Sequence, residues 1–333
     1  MLSISRRHLL ALLGGTALWA GCGGDPSQQL TVVSYAVTRS AYDAIIPLFA
    51  EYWLAQTGRR VDVFTSFGGS GSQTRAVIDG LDADVAALAL ALDMQRIEAA
   101  GEINPGWENE LPYNSMVTHS VAVIVTRPGN PKNIRTWEDL AQPGIQVVTA
   151  NPKTSGGARW NFLALWGAFQ LYGGSPEQAL DLTTRIYQNV GVLPRDAREA
   201  TDVFFQKGQG DALITYENEV LLARLRGQDL PYVLPDRTIS IDNPVAVIDA
   251  NVARKTNQEL VEAFVQFLFT PAAQREFAKV GFRPVVPDVA AEFAAQFPPV
   301  QDLFTVDDLG GWATVQRQFF ADRAIFDQIQ AQL

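Results

Sequence analysis

The 333-residue chain has a single cysteine, Cys22, and two histidines, His8 and His119. One cysteine excludes an internal disulfide and any zinc cage built on several thiolates, and two histidines leave little imidazole chemistry to build with. Positive charge is short as well: 26 Lys plus Arg stand against 36 Asp plus Glu, a formal net charge of −10. Such a chain lacks the basic footprint that nucleic-acid phosphates require. No internal repeat, low-complexity block or long Pro- or Ser-rich linker interrupts it. Also missing are G-x-x-x-x-G-K-[ST], H-E-x-x-H and a G-x-G-x-x-G following a strand. Gly68 to Ser72 reads GGSGS, which ends in Ser where a nucleophile elbow needs Gly. A Ser-His-Asp triad would have to recruit His119, which heads a strand pattern and reads as structural. The chain is therefore expected not to be an enzyme and to need neither cofactor nor metal.

Hydrophobic residues make up 47% and charged residues 19%, enough for packed cores and incompatible with disorder. Arg6 and Arg7 precede an apolar stretch from Leu9 to Ala20, short for a membrane span and suited to a secretory leader. The paired arginines after Ser5 resemble a twin-arginine export signal. Ala20 and Gly21 before Cys22 are the small residues a lipoprotein signal peptidase requires, with Trp19 standing where an aliphatic residue is usual. Residues 1–21 are thus expected to be a signal peptide, Cys22 a lipidated residue, and 22–28 a flexible tether. The working location is expected to be outside the cytoplasmic membrane, attached to it by lipid.

In the body, continuous apolar runs read as strands buried on both faces: 30–36, 61–67, 85–90, 120–126, 145–150, 190–193 and 211–216. Between them lie helical faces, Tyr42, Ile45, Ile46, Phe49 and Trp53 on one and Phe162, Leu165, Trp166 and Phe169 on another. Pro47 is expected to kink the first or shift its bonding. The alternation predicts an α/β protein with mostly parallel sheets, its domains joined by strands that cross between them.

Four strand ends run into small or polar residues and then into a helical pattern. They are SYAVTRS after Val33, FGGSGSQ from Phe67, NPKTSGGAR from Asn151, and LPRDARE from Leu193, where Asp196 is a good N-cap. A helix start leaves backbone N–H groups unpartnered and carries about half a positive charge, so it attracts an anion. Glycine removes the Cβ that would keep a ligand off the backbone. Any one such turn is ordinary in α/β folds. Four at the carboxyl ends of strands point to one crevice, holding its ligand with neutral dipoles.

The segment Asn151 to Gly167, NPKTSGGARWNFLALWG, resembles the periplasmic sulfate-binding proteins of bacterial ABC importers, whose signature reads Asn-Pro-Lys-Ser/Thr-Ser-Gly-x-Ala-Arg. The likeness runs through VSYAVTR, FGGSG, ADVAALALALD, RPGNPKNI, YENE, RPVVPDVA and FTVDDLGGWATVQ. It implies a two-lobed periplasmic binding protein fold of type II with the ligand in the cleft between lobes. The division expected on this basis is 29–112 plus 217–333 for lobe one and 113–216 for lobe two. The implied function is capture of sulfate for delivery to membrane permease subunits of an ABC importer, by a monomer. Thiosulfate is kept as an alternative ligand, then another oxyanion such as molybdate.

Carried onto this chain, the family's donors fall on Ala36, Ser70, Gly156, Gly157 and Ala197, with a hydroxyl at Ser70 and a supporting one at Ser155. Two departures matter. Ala36 replaces an Asp, which a main-chain donor tolerates, and Tyr216 replaces a Trp whose indole N–H meets the anion in many members. Arg39, Arg159 and Arg198 are expected to hydrogen-bond peptide units or carboxylates behind the donors. Sulfate only accepts hydrogen bonds at neutral pH, whereas phosphate keeps a proton that must donate. A cleft of donors therefore favours sulfate, by roughly tenfold to a few hundredfold per unmet group.

Overall fold

The computed structural model describes residues 28–229 and 231–333, so the expected leader, Cys22 and nearly all of the tether lie outside the described residues. The chain begins with β1 (Gln28–Tyr35), α1 (Arg39–Thr57), β2 (Val61–Gly68), α2 (Ser70–Ile78), β3 (Val85–Ala87) and α3 (Ala91–Ala99). The Tyr42, Ile45, Phe49 and Trp53 face of α1 is buried, with Phe49 edge-on to Phe264 at 5.0 Å. The helix runs through Pro47 without a break.

Next come β4 (Met116–Thr126), β5 (Val147–Val148), α4 (Gly156–Gln170), α5 (Pro176–Gln188), β6 (Val190–Val192), α6 (Ala197–Phe205), β7 (Ala212–Tyr216), α7 (Glu217–Leu225) and β8 (Tyr232–Val233). After them follow β9 (Arg237–Val247), α8 (Asp249–Lys255), α9 (Gln258–Phe267), α10 (Pro271–Lys279), β10 (Arg283–Pro284) and α11 (Pro287–Glu292). The chain closes with β11 (Asp302–Phe304), α12 (Gly311–Val315) and α13 (Ile325–Gln330). All seven strands expected from apolar runs are present. The long strand β9 was not expected, because Asp242, Asn243 and Pro244 interrupt its apolar pattern.

The strand order is β2-β1-β3-β9-β4-β7-β5-β6. β1 pairs parallel with β2 and β3, and β5 pairs parallel with β6 and β7. The expectation of mostly parallel sheets needs correction: β4 and β9 run antiparallel to each other and to β7 and β3 respectively. These two strands change partners along their length. β4 pairs with β9 over Met116–Val121 and with β7 over Ala122–Thr126, while β9 passes from β4 at Ser240–Pro244 to β3 at Val245–Val247. They are the crossing strands that a two-part chain without a linker requires.

The second expected boundary, at residue 217, falls at the start of α7. α7 packs on β4 and β7, and the C-terminal rings return to the second half: Trp312 meets Trp160 edge-on at 4.7 Å and Phe326 meets Phe162 at 6.0 Å. The segment after β9 thus covers both halves, because its apolar rings bury against whichever face is open to them.

Candidate functional site

The four expected turns meet. One cavity of about 240 Å³, counted out to its mouth, is lined by Ala36, Gly69, Ser70, Ala89, Ser155, Gly156, Gly157, Asp196, Ala197 and Tyr216, with Tyr35, Val37 and Gly68. Every ligand position expected from the sequence is among them. The cavity's walls are mostly glycine, alanine and serine at strand ends and helix starts. It sits where β1, β2 and β3 of one half face the starts of α4 and α6 of the other.

The local chain explains which donors are free. Ser155 caps α4, its Oγ accepting from the N–H of Ala158 at 3.2 Å, and Asp196 caps α6, its Oδ1 accepting from Glu199 at 2.9 Å. Each cap therefore satisfies the third N–H of its helix. The first two, on Gly156 and Gly157 and on Ala197 and Arg198, have no intrahelical acceptor. α2 has no side-chain cap, its Ser72 N–H going to the Gly69 carbonyl at 2.8 Å, and Ser70 and Gly71 are its first two residues; Ala36 opens a short 3-10 turn, Ala36–Thr38. Ser155 accepts through its oxygen, which leaves its proton to donate. It is buried, as is Ser70.

Glycine has a second use here. A Cβ on Gly156 would lie 2.9 Å from Ala89 Cβ and 3.2 Å from Ser70 Cβ, both in the other half, and one on Gly157 would lie 3.2 Å from Tyr216 Oη. Gly156 thus lets the halves approach, while Gly157 leaves room beside the Tyr216 hydroxyl of its own half. Tyr216 is fully buried, and its hydroxyl has no hydrogen-bond partner among the described residues. Burial, then Glu219 and Asp93, push that phenol well above its ordinary range, so it remains a proton donor.

Two expectations change. The Ser70 hydroxyl is committed, since Oγ donates to Asp93 Oδ2 at 2.5 Å and accepts from the Ala89 N–H at 3.0 Å. Ser70 therefore offers its N–H alone. Asp93 is buried, and its carboxyl is pushed up by that burial, against hydrogen bonding from Ser70 and the charges of Arg159 and Arg96. Nothing in the sequence between positions 70 and 93 marks the pairing. Arg39 departs also: it is exposed, with its guanidinium over the Phe67 ring at 4.4 Å.

The other two arginines lie behind the donors. Arg159 donates to the Pro152 carbonyl at 3.0 Å and to Gln316 Oε1 at 3.1 Å, and burial lowers it to about 10. Arg198 pairs with buried Glu219 at 2.7 Å and reaches the Val37 carbonyl at 3.4 Å. Among the described residues lining the cavity none is cationic and one, Asp196, is anionic. Asp196 turns one oxygen to its own helix and the other toward Arg195 at 3.5 Å. Sequence reasoning did not name Ala89 and Tyr35 as site residues, although both lie in the matched segments ADVAALALALD and VSYAVTR. No group of acidic, His or Cys residues suited to a metal occurs among the described residues, nor a helix long and apolar enough to cross a membrane.

Residues 30–283 match the family model described as bacterial extracellular solute-binding protein. A protein of Synechococcus elongatus named sulfate-binding protein is 54% identical over 96% of this chain and 92% of its own length. One of Escherichia coli with the same name is 42% identical over 90% and 92%. A Pseudomonas aeruginosa protein named thiosulfate-binding protein is 38% identical over 97% and 98%. Among solved structures, the sulfate-binding protein SubI from Mycobacterium tuberculosis superposes with a TM-score of 0.81 at 40% identity, covering 88% of this chain and 99% of that one. With its paired halves, its two shared strands and its cleft of helix starts, the chain belongs to the bacterial extracellular solute-binding proteins and has their two-lobed periplasmic binding fold.

Proposed function

We propose that the protein captures sulfate outside the cytoplasmic membrane and delivers it to the permease of an ABC importer. The observation that carries this reading is the convergence of free helix-start N–H groups from both halves on one small cavity without a cationic side chain. Relatives named for sulfate, at 54% and 42% identity, support the choice of anion. The donors in this reading are the N–H groups of Ala36, Ser70, Gly156, Gly157 and Ala197, with the hydroxyls of Ser155 and Tyr216. Arg159 and Arg198 steady the peptide units behind them. A dianion in such a place is stabilised by dipoles already oriented, without the desolvation cost of bringing in a countercharge.

The two lobes hinge on β4 and β9. Anion binding draws them together because each contributes donors to the same ligand, so the closed form gains by its differential affinity. The closed surface is what the permease recognises. The protein acts as a monomer and binds without catalysis, held at the membrane through acylated Cys22 in the periplasm. Thiosulfate is the second reading, favoured by the Tyr216 hydroxyl, whose reach differs from that of an indole, and by the relative named for that anion.

Isothermal calorimetry of the mature chain tests this. Sulfate should bind at least about tenfold more tightly than phosphate, the discrimination expected from one unmet buried proton. Equal heats and affinities for the two, or binding of thiosulfate alone, would overturn the assignment.

A further inference from the structure

Trp160 belongs to α4, which packs on β7 and β9 in the second half. Its indole Nε1–H nevertheless donates to the carbonyl of Ala89, just past β3 in the first half, at 2.8 Å. The Ala89 N–H donates in turn to Ser70 Oγ at 3.0 Å, and Ser70 Oγ to Asp93 Oδ2 at 2.5 Å. Trp160, Ala89, Ser70 and Asp93 are all nearly inaccessible to solvent. One buried chain of hydrogen bonds therefore runs from the helix that presents Gly156 and Gly157 to the strand end that presents Ser70. Trp160 itself does not line the cavity.

We propose that Trp160 is a positioning residue for anion capture: its indole N–H latches the two halves together at Ala89, so that affinity depends on a residue that never touches the anion. This rests on the capture reading given above. With the halves apart, the indole N–H and the Ala89 carbonyl can bond to water. When they close, both groups are buried and each must find a partner. The bond therefore counts toward the closed form alone, and ligand affinity follows the closed population. The ring is aimed by its edge-on contact with Trp312 at 4.7 Å. The carbonyl and the N–H of Ala89 belong to successive peptide units, so the latch reaches Ser70 through the fixed backbone of Ala89.

Trp166 supplies a matched comparison. It lies on the same helix, is equally buried, and gives its indole N–H to Gln170, within the same half. In the mature chain, Trp160→Phe should raise the sulfate Kd by about 3- to 15-fold, as for one net hydrogen bond. Trp166→Phe should leave it within about twofold, and melting temperatures without anion should fall by similar small amounts in both. A Trp160→Phe affinity equal to that of Trp166→Phe overturns the latch.

A second measurement needs no substitution. In protein labelled with 15N-tryptophan, sulfate should shift the Trp160 indole proton downfield and slow its exchange. A signal indifferent to saturating sulfate also overturns the latch. Absence of sulfate heat in the unmodified chain would instead remove the functional reading, an outcome distinct from both.

Discussion

Replacing Gly156 by Ala should leave the two halves individually sound and hinder their closure. Gly156 is not among the glycines with positive φ, so alanine meets no backbone strain there. At the first position of α4 it is also a better helix former than glycine. The obstacle is across the cleft. The added Cβ would stand 2.9 Å from Ala89 Cβ, 3.1 Å from Leu90 Cγ and 3.2 Å from Ser70 Cβ, where carbon atoms normally keep about 3.5–4.0 Å. Relief requires the lobes to part by several tenths of an ångström, which misplaces donors on both sides at once. Overpacking of this kind costs about 1–3 kcal/mol. Because the clash exists only on closure, it should appear as about a 5- to 150-fold rise in the sulfate Kd. Calorimetry reads that rise, with Gly191→Ala, whose Cβ would meet nothing within 4 Å, as the comparison. The melting temperature without anion should stay within about 2 °C of the original, the scale of a near-neutral surface change. A Gly156→Ala Kd within twofold of the original would refute the reasoning, since the anion would then be held without so close an approach of the halves.

Tyr216→Phe removes a buried hydroxyl that has no partner among the described residues. Stability without anion should be unchanged or slightly higher, while sulfate affinity falls about tenfold or more, the worth of a bond to a charged acceptor. Unchanged calorimetric affinity would take Tyr216 out of the donor set. The Asp93 carboxyl is pushed above its ordinary value, chiefly by burial. A group raised in the folded state contributes stability below its unfolded pKa and loses it as pH rises through the folded value. Asp93→Asn should therefore gain melting temperature relative to the original chain as pH increases from acid to neutral, with sulfate bound more tightly at neutral pH. Parallel melting curves across that range, from differential scanning fluorimetry, would contradict the assignment.

Much of the site was legible along the chain because its chemistry is local. A strand end followed by small residues and a cap is a property of about ten consecutive positions. Asp196 caps α6 as expected, and Ser155, expected as a supporting hydroxyl, caps α4. The apolar runs of β1 to β7 announced an α/β fold for the same reason: burial on both faces is written in each strand's own composition. The unexpected strand was β9, whose polar interruptions belong to a strand shared between halves.

What the tertiary structure alone decided involves partners distant along the chain. The Ser70 proton goes to Asp93, Gly156 meets Ala89, Trp160 reaches the Ala89 carbonyl, and Arg39 lies on Phe67 instead of bracing a donor. β4 and β9 each exchange partners along their length, a pairing set between distant segments. A helix start carries its free N–H groups wherever it is folded, so the sequence could mark which amides are left without an intrahelical acceptor. Which side chain spends its hydrogen bond across the cleft depends on distances between segments tens of residues apart, and those are set only when both halves pack around β4 and β9.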